Sequence, residues 1–222
     1  FSGYAGQILI IRAWPWTYPP CSKNFQLTET ALAYAPAAFR GDNLAVFLLD
    51  LRLSRLVAQR REPLLTQVRL AWWRDRLSEE PTGFHHDEPL LRLLEGWGAH
   101  RTRLTALVDG WEALLVDPPI TDAAIDLFAR GRAQAFAALA ERCGAPAYAP
   151  EARRVAANWA LSDLAARSSD PSEAAHVQGI IAEADWRRPQ LPRALRPLVV
   201  LHGLASRRQG KDRKSTRLNS SH

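Results

Sequence analysis

The stretch from Asn43 to Leu77, NLAVFLLDLRLSRLVAQRREPLLTQVRLAWWRDRL, decides the fold. It reads as two helices broken at Glu62-Pro63. Proline lacks a backbone donor and drives the residue before it out of the α region, so it ends one helix and suits the first turn of the next. In the first helix Leu44, Phe47, Leu48, Leu51 and Arg55 share one face, and Val46, Leu49, Leu53, Leu56 and Val57 fill much of the remainder. A helix apolar nearly all round is a buried one. In the second, Leu65, Val68, Trp72, Trp73 and Leu77 form the expected inward stripe, with Arg69, Arg74, Asp75 and Arg76 mostly off it. Adjacent tryptophans point about 100° apart on a helix, so burying both requires neighbours on two sides. Both are expected to be buried.

Outward from this stretch the chain continues in helical periods. Thr28–Phe39 reads as a short helix ending near Arg40-Gly41, and Asp42 suits the N-cap of the helix that follows. After Leu77, SEEPTGFHHDEP is a polar loop. Pro89 opens a long apolar-periodic element that runs to Leu115, with Gly96 and Gly98 as kink points and Asp117-Pro118-Pro119 as its stop. Thr121 or Asp122 caps the next helix, which runs to Cys143 and ends on Gly144, a left-handed cap. Glu151 to about Arg167 and Ser172–Ala184 follow, and Pro192 opens the last helix, ending near Arg208. No stretch of four or more residues alternates in the manner of a strand. The expectation is an all-α fold, a single-domain helical bundle.

The two ends differ from the body. The chain has no Met, so its N-terminus is expected to be incomplete. Its lysines, Lys23, Lys211 and Lys214, all lie near the ends, while 23 arginines and no lysine stand between Leu27 and Gly210. Asp212–His222, DRKSTRLNSSH, back-translates to a sequencing-adapter string read in frame. Residues 209–222 are therefore read as a non-native tail, 1–26 as a doubtful flank and 27–208 as the domain. The formal charge of +6 comes mostly from those ends; between Leu27 and Gly210, 23 arginines meet 22 acids. Nucleic-acid binding, which needs clustered positive charge, is excluded on that balance. Cys21 and Cys143 support neither a disulfide framework nor a thiolate metal site. The run Ile8–Ile11 is far shorter than the ~20 residues of a transmembrane helix. A cytoplasmic setting, with peripheral membrane contact as an option, is the default.

The run YAPAAFRGDNLAVFLLDLRLSRLVAQRREPLLTQVRLAWWRDRL resembles the opening of the squalene/phytoene synthase family. The likeness is to its divergent branch, which includes members similar to the family's mitochondrial complex I assembly factor. LVDGWEALL at Leu107–Leu115, ARGRAQAFAALAERCG at Ala129–Gly144 and LPRALRPLVVL at Leu191–Leu201 agree in order, so the similarity spans about Thr30 to Arg208. The resemblance implies the isoprenoid-synthase fold and, for the family's enzymes, head-to-head joining of two prenyl diphosphates. It also implies two DxxxD-type motifs that hold Mg²⁺ across a cavity. Mg²⁺ takes oxygen ligands, and acids at i, i+4 share one helix face. If Phe47 matches the aromatic residue ahead of the first motif, the motif falls on Ser54–Ala58, SRLVA, which has no carboxylate. The second falls within Trp159–Asp170, where Asp163 is followed four residues on by Arg167, and Asp170 by Ala174. Both motifs are degenerate.

The residue-level candidates follow from this. Asp50 reads as a buried carboxylate paired with an arginine, or as a relict ligand, since an unpaired buried charge is costly. Asp163 reads as a solvated helix residue, or as one lining the cavity. Asp50 and Asp163 are the catalytic candidates. Arg60 and Arg61 suit a diphosphate or a helix C-terminus, and Trp72 and Trp159 suit a prenyl wall or simple core. Asp109 and Glu112 have a usable ligand spacing but read as a solvated face, and His85-His86-Asp87 as an exposed loop. No metal site is assigned, and no cofactor is expected unless the protein is an enzyme, in which case Mg²⁺ is. Two functions stay open. One is a non-catalytic member of the family that binds a prenyl diphosphate, a lipid or a protein partner. The other is a Mg²⁺-dependent prenyltransferase. If Asp50, Asp109, Glu112 and Asp163 share one cavity the enzyme gains; if they scatter it loses.

Overall fold

The computed structural model describes residues 23–58, 63–79 and 88–219, with the backbone alone for 23–26 and 211–219. The flank before residue 23, Arg60, Arg61 and His85-His86-Asp87 lie outside the described residues. The helices are α1 (Lys23–Ala33), α2 (Arg40–Ala58), α3 (Pro63–Ser78), α4 (Pro89–Leu93), α5 (Ala99–Thr102), α6 (Thr105–Glu112), α7 (Asp122–Arg142), α8 (Ala149–Arg167), α9 (Pro171–Glu183) and α10 (Arg196–Asn219). Short 3₁₀ turns join several of them, and no strand occurs among the described residues, as an all-α bundle requires. None of these helices is long and apolar enough to cross a membrane.

Local chemistry sets the boundaries. Thr121 accepts a hydrogen bond from the Ala124 amide and so caps α7. At its other end Gly144, at φ 74°, lets the Ala145 amide reach the Ala140 carbonyl and the Gly144 amide reach Glu141. That is a Schellman closure, which Gly favours because it carries no Cβ. Pro63, Pro89 and Pro171 each open a helix. The expected element from Pro89 to Leu115 is instead broken into pieces around Gly98, whose φ of 51° no continuing helix allows. Pro36 separates α1 from α2, so Arg40 begins α2 and Asp42 sits in its first turn rather than at its cap. The last helix does not stop at Arg208; with no proline after Pro197 in its first turn, its backbone stays helical to Asn219.

The core sits where α7 and α8 pair along most of their length, with α6 against α7 and with α9 and α10 against α8. Helix α2 threads into this pair and also touches α1, α3, α4 and α6. It is buried nearly all round, from Asn43 to Val57, as its sequence requires. Helix α3 departs from expectation. Its inward face is Thr66, Leu70, Trp73 and Leu77, while Leu65, Val68 and Trp72 point outward, Trp72 being 42% exposed. Apolar residues occupy two sides of α3, and its neighbours α2, α5 and α6 cover only one of them.

Candidate functional site

One guanidinium joins three helices. Arg132, on α7, is fully buried. Its Nε and Nη2 donate to the two oxygens of Asp50 on α2 at 2.9 Å each, and its Nη1 lies 2.8 Å from Asp163 on α8. Asp50 also accepts from the Trp111 indole at 2.8 Å, and Asp163 accepts from Arg167 Nε at 2.9 Å. Aromatic rings surround the cation: its central carbon is 4.2 Å from the Trp159 ring centre, 4.8 Å from Phe128 and 5.2 Å from Trp111. Phe47 and Phe136 pack edge-on against Trp159 and against each other.

The electrostatics are those of a closed ion network. Burial by itself favours the neutral acid at Asp163, but the charges of Arg132 and Arg167 outweigh it and hold the carboxyl below its usual range. Burial likewise opposes the charge on Arg132, and Asp50 and Asp163 more than restore it. Asp163 is thus a carboxylate neutralised from within. Asp163, expected to be solvated, is only 5% exposed, because Arg132 approaches from a different helix.

Above the network lies a recess. Helices α1, α2, α8 and α10 contribute Leu27, Asp50, Leu51, Asp163, Leu201 and Arg208, and the site also includes Trp159 and Arg167. The lining positions on α8 (Trp159, Ser162, Asp163, Arg167) and on α10 (Leu201, Leu204, Ala205, Arg208) repeat at helical spacing. Its interior volume is about 20 Å³, room for about one water and far below the ~300 Å³ or more of ordinary ligand pockets.

Of the predicted candidates, the structure brings together Asp50, Asp163 and Trp159. It does not bring Trp72 there: that ring lies on the outer face of α3, edge-on to Trp73 at 5.1 Å. Asp109 and Glu112 belong to a separate half-exposed cluster, both held by Arg74, with Asp109 at 2.7 Å. The four acids therefore divide, two to the recess and two to the surface. The lone Cys143 is half-buried, and burial, with Asp42 nearby, pushes its thiol up to about 12, which removes it as a nucleophile near neutral pH. Sequence reasoning missed Arg132 and Arg208. A signal for the first was present, since Phe128, Arg132, Ala135, Phe136 and Leu139 fall on one otherwise apolar face.

Among the described residues no group of three or more His, Cys, Asp or Glu side chains is placed to hold a metal ion. The two recess carboxylates do not fit Mg²⁺ either, because the space between them holds a guanidinium. Compared with protein-family models, with curated proteins and with solved structures, the chain finds no match.

Proposed function

We propose that this chain is a squalene/phytoene synthase-type protein without catalysis, acting as a binding or assembly-type protein. The observation that carries this reading is Arg132, a fixed organic cation between the two carboxylates available in the recess. Head-to-head condensation must ionise a diphosphate, and metal ions supply the neutralising charge on the leaving group. Here any metal would have to displace a buried arginine that makes three close contacts with those acids. The small interior of the recess adds support, since two prenyl chains do not fit in about 20 Å³.

One observation favours the alternative, a Mg²⁺-dependent prenyltransferase: Asp50 and Asp163 line the same recess from different helices. The deciding experiment is an incubation of purified protein with Mg²⁺ and farnesyl or geranylgeranyl diphosphate. The expected result is no head-to-head product, because each ~1.4 kcal/mol of lost stabilisation is tenfold in rate. Mg²⁺-dependent squalene or phytoene formation that disappears in Asp50→Ala or Asp163→Ala would overturn the proposal.

A further inference from the structure

The recess has a charge balance that its buried network does not use up. Asp50 and Asp163 are matched by Arg132 and Arg167, and Arg208 stands at the same opening as a further cation. Among the described residues, Arg132, Arg167 and Arg208 against two carboxylates leave the site one positive charge in excess. Arg208 makes no hydrogen bond or ion pair among the described residues. Beside it Leu27, Leu51, Leu201 and Leu204 form an apolar wall drawn from α1, α2 and α10. A cationic opening against an apolar wall is complementary to an amphiphile with an anionic head. The interior is too small for the chain to enter the core, so the head would sit at the arginines and the chain along the leucines.

We propose that this recess binds a single-chain amphiphile whose head carries one negative charge, without a metal ion. Guanidinium contacts to a carboxylate or phosphate are charge-assisted and often bidentate, so they need no bridging cation. The single charge follows from the single excess cation: a more highly charged head would leave part of its charge uncompensated beside Asp163. This rests on the non-catalytic reading above, and it names the ligand class for the same recess.

The test is titration of the full chain with dodecanoate, followed by calorimetry and by tryptophan fluorescence, since Trp159 lines the recess. Parallel titrations use mono-anionic methyl dodecyl phosphate and cationic dodecyltrimethylammonium. The two anions are expected to bind with similar affinity in EDTA and in Mg²⁺, and the cation at least tenfold more weakly. Arg208→Gln should weaken both anions at least tenfold while leaving the unfolding midpoint unchanged, because this arginine holds nothing else among the described residues. Equal binding of the cationic probe, a requirement for Mg²⁺, or an unchanged affinity in Arg208→Gln would each overturn the proposal. The condensation assay is a separate readout: product formation would defeat the non-catalytic reading, whereas failure of dodecanoate to bind defeats only this one.

Discussion

Arg132 reaches across 82 residues of sequence to close both of its hydrogen bonds on Asp50 at 2.9 Å. The pair ties α7 to α2, and Asp163 on the far side ties α7 to α8, so a fully buried arginine and two buried acids meet at the junction of three helices. Such a network is not in itself a source of stability, since desolvation offsets much of the Coulomb attraction. Its importance is conditional: each member is tolerable only while the others are present.

Removing the cation alone is therefore expected to be severe. Arg132→Met should cost about 3–5 kcal/mol, the range for breaking a buried ion pair from one side. Replacing the whole network, Asp50→Leu with Arg132→Met and Asp163→Leu, should recover most of that loss, because the junction then holds no unpaired buried charge. Urea unfolding of the single and triple variants measures both. A single variant within 1 kcal/mol of the parent would show that water reaches these carboxylates freely.

Beside Arg132, Gly131 sets how closely α6 and α7 approach. A Cβ there would run into the Ala106 carbonyl and come within 3.0 Å of Gly110 Cα, both fixed backbone atoms. Alanine is favoured over glycine in a helix by about 1 kcal/mol, but overpacking against backbone costs about 1–3 kcal/mol. Gly131→Ala should thus be a net loss. Gly179→Ala, which meets nothing within 4 Å, should be neutral or slightly stabilising. Similar changes in melting temperature for the two variants would contradict the close approach.

The two adjacent tryptophans provide a sharper contrast. Trp73 is 2% exposed and Trp72 42%, so Trp73→Ala should cost about 3–5 kcal/mol and Trp72→Ala about 1 kcal/mol or less. Chemical denaturation of both variants separates the cases, and equal losses would mean that α3 is covered on its outer face.

These results also show what local sequence carries. Proline and glycine punctuation, the absence of alternation, and the Thr121 and Gly144 caps made the helical fold and most helix boundaries legible, because each signal acts within a few residues. The inward face of α3 was not legible: Leu65, Val68 and Trp72 form as good a stripe as Leu70, Trp73 and Leu77, and only the neighbours choose between them. Asp163 misled for a related reason. With Arg167 four residues on, it has the pattern of an ordinary surface ion pair, and the buried partner that changes its meaning lies on another helix. Asp50 was easier, since a lone acid in an apolar helix demands a cation, although nothing local said that the cation was Arg132.

The last expectation concerns acid stability. His202 on α10 is 2% exposed, its ring stacks on Trp186 with centres 5.1 Å apart, and its Nε2 has no hydrogen-bond partner among the described residues. Burial, helped by the nearby charge of Arg154 and opposed by Glu151 and Asp185, pushes its pKa down to about 4. The unfolded chain, with an imidazole near 6.5, therefore binds the proton more readily than the folded one. Stability from this residue is complete above about pH 6.5 and is lost as the pH falls towards 4. Glu151 acts in the same direction but lower. The hydrogen bonds from Arg154 lead in holding its carboxyl at about 2, burial works against them, and the Gln190 amide and Arg187 assist. Its contribution is lost between the ordinary carboxylate range and pH 2. Urea midpoints should accordingly decline in two stages, the first between pH 6.5 and 4. In His202→Phe that first stage should flatten while the second remains. An unchanged slope between pH 6.5 and 4 in that variant would assign the titration to another group.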